Sequence, residues 1–201
     1  MMERNRNPNH PEKGRQIRVD PIRRTEDIQA IKLILSRTPR DLLLFTMGIN
    51  NGLRAGDLLM VKVKDVKSLK PGEFITIKEN KTGKQNILMV NKFVHKALRN
   101  YLEKVRPGDD DYLFASRKTK EPLTIQAVNA MLKKWTRLIH LDYGNYGAHT
   151  LRKTFGFMQR TKYGVGFEVL AKRFNHSSPT TTMRYLGLTS DEVNEVLMNE
   201  I

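Results

Sequence analysis

EFITIKENKTGKQNILMV, residues 73–90, breaks the pattern of everything around it. Two β-type runs, Phe74–Ile77 and Ile87–Val90, flank the polar segment KENKTGKQN, which contains Gly83. Extended runs closing on a Gly-containing polar turn predict an antiparallel hairpin, with Lys81 and Lys84 near its tip. On both sides of it the apolar period is helical.

Before the hairpin, Ile28, Ile31, Ile34 and Leu35 share one helical face, with Thr25 as the expected N-cap. Pro39 opens a second helix, PRDLLLFTMGINN, which stops at Gly52, and AGDLLMVKV is expected to form a third. After the hairpin, Phe93, Val94, Ala97, Leu98, Tyr101 and Leu102 form one apolar stripe. Ile125, Val128, Met131, Leu132, Trp135 and Leu138 form another. Further helices are expected from His149, over FEVLAKRF, and over TSDEVNEVLMNEI, where Thr189 and Glu192 have capping-box spacing. The predicted class is α+β, mainly α-helical with a small antiparallel β-sheet. Residues 1–24 are polar, lack periodicity and read as a flexible basic arm; residues 25–201 read as the folded domain.

The chain of 201 residues is long enough to bury a core. It has no cysteine, which excludes disulfides, thiolate metal sites and a cysteine nucleophile. No apolar run is long enough to span a bilayer and the N-terminus lacks a signal-type apolar centre, so a cytoplasmic location is expected. Lys and Arg exceed Asp and Glu by fifteen charges (36 against 21). That excess points to a polyanionic partner, nucleic acid above all. The basic residues are spread along the chain and do not gather on one amphipathic helix, which argues against a membrane surface.

Several residues are suited to phosphate chemistry. His149 and Arg152, in HTLR, lie three apart and so on one helical face, although this spacing alone arises readily by chance. Arg54, in NNGLRAGDLL, follows Gly52 at a turn, where a guanidinium fork can approach a phosphate; Asp57 is placed to hold that arginine or a neighbouring histidine. Lys81 can enter a groove or protonate a leaving alkoxide, a role for which Lys84 competes. FNHSSPTTTMRYLG, residues 174–187, has the composition of a surface turn but ends in Tyr185. Cations at Arg152, Arg54 and His176 would favour its phenolate.

In order, the series Arg54, Lys81, His149, Arg152, His176, Tyr185 resembles the tyrosine recombinase (phage integrase) family from about Thr25 to Ile201. NNGLRAGDLLMVKVKDV is similar to that family's first arginine box and KENKTGK to its lysine hairpin. HTLRKTF is similar to its His-x-x-Arg box, and FNHSSPTTTMRYLG to its final box. Asn175 stands where the family usually has glycine, a position that suits the left-handed tolerance of Asn. The family's N-terminal core-binding domain is expected to be missing, since a short polar arm alone stands before residue 25 in this sequence.

The resemblance implies the tyrosine recombinase catalytic-domain fold and site-specific cleavage and rejoining of double-stranded DNA. Tyr185 would be the nucleophile, forming a 3′-phosphotyrosyl link. Arg54 and Arg152 would bind the non-bridging oxygens, Lys81 protonate the 5′-oxygen, His149 take the tyrosine proton and His176 hydrogen-bond the phosphate, with Asp57 in support. No cofactor and no metal are implied. The working form would be a homo-tetramer on paired sites, on the nucleoid, with the segment 189–201 docking on a neighbouring protomer. Two alternatives share the pattern: a non-catalytic DNA-binding regulator derived from a recombinase, and a type IB topoisomerase-like enzyme. A covalent DNA adduct separates enzyme from binder, and joint exchange of two sites separates recombinase from topoisomerase.

Overall fold

A computed structural model describes residues 19–141 and 143–187. The helix α2 (Pro39–Asn51) sits at the centre, with Leu43, Leu44, Phe45 and Met47 all fully buried. It packs between α5 (Lys92–Val105) and α7 (Ala148–Thr161). Gly48 allows the close approach to α7, because a Cβ there would lie 2.7 Å from Leu151 Cδ1. The helix α6 (Ile125–Leu138) adds Trp135, whose ring meets Phe45 edge-on with centroids 6.1 Å apart. In α5 the buried stripe is Val94, Ala97, Leu98 and Tyr101, and in α6 it is Val128, Leu132 and Trp135. Phe93 and Leu138, at the ends of the two predicted stripes, are exposed.

The hairpin is present, with β1 (Phe74–Lys78) pairing antiparallel to β2 (Gln85–Met89) from Phe74 opposite Met89 to Lys78 opposite Gln85. It docks on α2 through Asn51, whose side chain accepts from Met89 N and donates to Met89 O. A second, smaller apolar cluster of Leu170, Phe174 and Leu186 joins α8 (Phe167–Arg173) and α9 (Pro179–Leu186) to α7.

Four local expectations change. Thr25 is the first residue of α1 (Thr25–Ile34), not its cap; Arg24 holds the N-cap position and Thr25 Oγ1 donates to Glu26 instead. The expected third helix is two, α3 (Ala55–Leu59) and α4 (Val63–Val66). Between them the β-branched Val61 is drawn into pairing, its carbonyl accepting from Leu113 N at 2.8 Å. Residues 19–24, expected within the basic arm, lie on the domain: Ile22 is fully buried and its N–H donates to Thr154 Oγ1 at 2.9 Å. The run around Pro179 is a helix start, not a turn, with Ser178 Oγ accepting from Thr181 N and Pro179 in the first turn. The remaining arm, residues 1–18, and the expected helix over 189–201 lie outside the described residues.

Candidate active site

Four segments converge: the α2–α3 turn with Arg54, the hairpin tip with Lys81, the first turns of α7 with His149 and Arg152, and the α8–α9 region with His176 and Tyr185. The turn forms because Gly52 ends α2 in the left-handed conformation, φ 60°. A side chain there would also strike the ring of Phe155, 2.3 Å from an ideal Cβ.

Arg152 is the anchor. It is 2 % exposed. Its Nη1 donates to Gly52 O at 2.8 Å, its Nη2 donates to Phe174 O at 2.7 Å, and its guanidinium lies 4.5 Å from the centre of the Phe174 ring. Burial pulls its pKa down to about 10, so it stays cationic at neutral pH. Arg54 pairs with Glu79, Nη1 to Oε2 at 2.5 Å, and keeps 19 % of its side chain exposed.

Tyr185 sits in the last turn of α9 between Phe174 and His176, with ring centroids at 5.7 and 5.2 Å. Lys153 Nζ lies 5.1 Å over its ring. Its hydroxyl is buried and makes no hydrogen bond of full geometry among the described residues, although the Arg152 guanidinium acts on it as a donor. Burial pushes the phenol up to about 12, against the opposing pull of Arg152 and Arg54. Arg152 and Arg54 favour the phenolate, as expected from sequence, but His176, expected as a third cation, is not one of the charges acting on it; desolvation is the larger effect, and Tyr185 is neutral at pH 7.

Both histidines are held neutral as well. Burial, then Arg152 and Arg54, brings His176 down to about 4. Its Nδ1 is 3.0 Å from Thr182 Oγ1, which orients the ring. His149, more open to solvent, is lowered by burial and by Arg152, Arg54, Lys81 and Lys153. The imidazole that packs against the Tyr185 ring is that of His176, while His149 belongs to the same cluster through its interactions with Arg152, Arg54 and Lys81. Lys81 and Lys84 are both exposed at the tip; Lys81 is among the charges acting on His149.

Asp57, expected to hold Arg54 or a neighbouring histidine, makes a hydrogen bond to neither among the described residues. Its Oδ1 accepts from Asn80 N at 2.9 Å, which ties the α3 helix to the hairpin tip, and its Oδ2 is buried without a partner. The carboxylate beside Arg54 is Glu79, which sequence reasoning passed over. The signal was there: Glu79 is the acidic residue within the lysine-rich tip KENKTGK. Arg173 was also missed. It donates to Asn51 O, to Ile87 O at 2.9 Å and to Asn86 Oδ1 at 2.6 Å, which joins α8 to the hairpin and to α2. Asn175 takes the left-handed conformation at φ 51°, as expected of the residue before His176, and its side chain donates to Gln85 O. Among the described residues no three His, Asp or Glu side chains form a metal-binding group, and no helix is long and apolar enough to cross a membrane.

The sequence pattern of the Phage integrase family matches residues 24–192. A probable integrase/recombinase, YoeC, of Bacillus subtilis is 36 % identical over 176 residues, covering 86 % of this chain and 92 % of that protein. The tyrosine recombinase XerC of Caldanaerobacter subterraneus is 30 % identical over 162 residues, covering 79 % of this chain and 44 % of XerC. Among solved structures, the XerA recombinase superposes with a TM-score of 0.69 at 20 % identity, over 95 % of this chain and 65 % of XerA. XerH bound to its palindromic difH substrate after cleavage gives 0.70 at 20 % identity, over 90 % of this chain and 53 % of XerH. The fold is therefore that of tyrosine recombinase catalytic domains. The chain spans about half the length of XerC and XerH and nearly all of YoeC.

Proposed function

The chain belongs to the phage integrase family, and from that membership we infer that it is a site-specific tyrosine recombinase acting on double-stranded DNA. The observation that carries this reading is the convergence on the Tyr185 hydroxyl of two arginines from distant segments, Arg54 and Arg152. A phosphodiester brought there meets a nucleophile, two cations and two neutral imidazoles at once.

Tyr185 Oη attacks phosphorus, the bond from phosphorus to the 5′-oxygen breaks, and a 3′-phosphotyrosyl link forms. The phenolic proton passes to His149, and the Lys81 ammonium supplies the proton that the 5′-oxygen takes up. Arg54 and Arg152 hold the two non-bridging oxygens and stabilise the charge of the five-coordinate transition state, and His176 adds a hydrogen bond. Attack by the 5′-hydroxyl of a second strand reverses the step and completes exchange, with no nucleotide hydrolysis. Burial holds the phenol at about 12, so it enters the reaction protonated and must give up its proton during attack.

The assembly is a tetramer on two paired sites, on the nucleoid of the host cell. In the sequence of residues 189–201, Val193, Val196, Leu197 and Ile201 have the spacing of one helical face among Asp191, Glu192, Glu195 and Glu200, a pattern suited to a basic neighbouring protomer. Deleting 189–201 removes higher-order complexes on DNA and spares monomer binding.

The test is incubation with nicked duplexes carrying candidate sites from the flanking genome, with denaturing electrophoresis for a covalent band. A band that requires Tyr185 and two sites exchanging strands supports the reading. DNA binding without any adduct overturns it.

A further inference from the structure

We propose that Glu79 is a positioning residue that, anchored in the Lys81 hairpin, holds the guanidinium of Arg54 aimed at the scissile phosphate. The inference rests on the recombinase reading above.

Glu79 follows β1 directly and is 1 % exposed. Its main chain closes the hairpin tip: the N–H donates to Lys84 O at 2.9 Å and the carbonyl accepts from Gly83 N at 2.8 Å. Its carboxylate works in the opposite direction, out of the hairpin. Oε2 accepts from Thr82 Oγ1 at 2.6 Å and lies 2.5 Å from Arg54 Nη1, while Oε1 accepts from Asn86 Nδ2 at 2.9 Å. Asn86 is fixed in turn by Arg173. One side chain thus joins the tip that carries Lys81 to the turn that carries Arg54.

A buried carboxylate with this many donors does not leave its place when an anion binds. Burial opposes its ionisation, yet Thr82, Asn86, Asn175 and Arg54 together bring it to about 2. The Glu79 side chain is wholly covered, whereas Arg54 stays 19 % exposed. Glu79 therefore backs one side of the guanidinium and leaves another open to ligand. An arginine held by a buried carboxylate loses less freedom when phosphate arrives and keeps its fork aimed.

The test uses the full chain and site-bearing duplexes with either a phosphodiester or a methylphosphonate at the scissile position. Single-turnover adduct formation is measured at saturating DNA. A methylphosphonate lacks the charge that Arg54 neutralises, so a defect in aiming Arg54 disappears on it. Glu79→Gln, which keeps the shape and loses the charge, slows adduct formation about tenfold on the phosphodiester with DNA affinity unchanged. On the methylphosphonate it matches the parent to within about twofold. Equal loss on both substrates, or no loss on the phosphodiester, overturns the proposal. A parent protein that forms no adduct overturns the recombinase reading instead. If Glu79→Gln fails to melt cooperatively, Thr82→Ala frees the carboxylate from the tip, and the same split between substrates must appear or the proposal falls.

Discussion

Arg152 Nη1 lies 2.8 Å from the carbonyl oxygen of Gly52, so the buried cation of α7 is fixed by the same turn that presents Arg54. Its other arm holds Phe174 O, next to the box that leads to Tyr185. One guanidinium fork therefore sets the spacing between the phosphate site and the nucleophile. The ammonium of Arg152→Lys cannot span both carbonyls. We expect adduct formation to fall by about two orders of magnitude. We expect stability to fall by about 1–3 kcal/mol for the carbonyl left unpaired. Urea midpoints and single-turnover cleavage check the two effects.

Tyr185→Phe separates chemistry from stability in the opposite sense. The hydroxyl it removes is buried and makes no hydrogen bond of full geometry. Its removal should abolish the covalent band, leave DNA affinity unchanged and raise stability by about 1 kcal/mol, or about 2–4 °C in Tm. A band that survives, linked through Tyr146 or Tyr163, would reassign the nucleophile.

The hairpin and the central helices were legible in the sequence because each rests on local information: a change of period, a cap, a spacing. Partnerships across the chain were not. Glu79 is visible as the acidic residue of the lysine-rich tip, but nothing in the sequence says that it meets Arg54 or that Arg173 reaches Asn51, because tertiary packing selects these pairs. Asp57, expected to hold Arg54 or a neighbouring histidine, is turned by the fold towards Asn80. The protonation state of Tyr185 was equally hidden, since its burial depends on α7, α8 and α9 together.

Acid sensitivity follows from His176. Its folded pKa is about 4 against an ordinary 6.5, so the unfolded chain takes up the proton first as pH falls. The stabilisation from keeping it neutral is complete above 6.5 and is lost progressively as pH drops towards 4. His149, also lowered, adds to this slope. Glu79 acts in a separate window, from 4.5 down to about 2, where protonation releases Arg54. We expect the urea midpoint to decline between pH 6.5 and 4, and the decline to be shallower in His176→Phe. An unchanged slope in that variant would place the titration elsewhere.

Lys81 and Lys84 share the tip and are both exposed, so the identity of the proton donor rests on reach. Lys84 O accepts from Glu79 N, which fixes that backbone at the closing pair of the hairpin, while Lys81 lies farther out in the turn and acts on His149. A substrate with sulfur at the bridging 5′ position has a leaving group that departs without a proton. Lys81→Ala should therefore lose about 10²–10⁴-fold in cleavage of the ordinary phosphodiester. It should recover on the sulfur substrate, and Arg152→Lys should not, because its defect lies in the non-bridging charge. Lys84→Ala should cleave both substrates much as the parent does. Recovery by sulfur in Lys84→Ala, with Lys81→Ala defective on both, would move the general acid three residues along the turn.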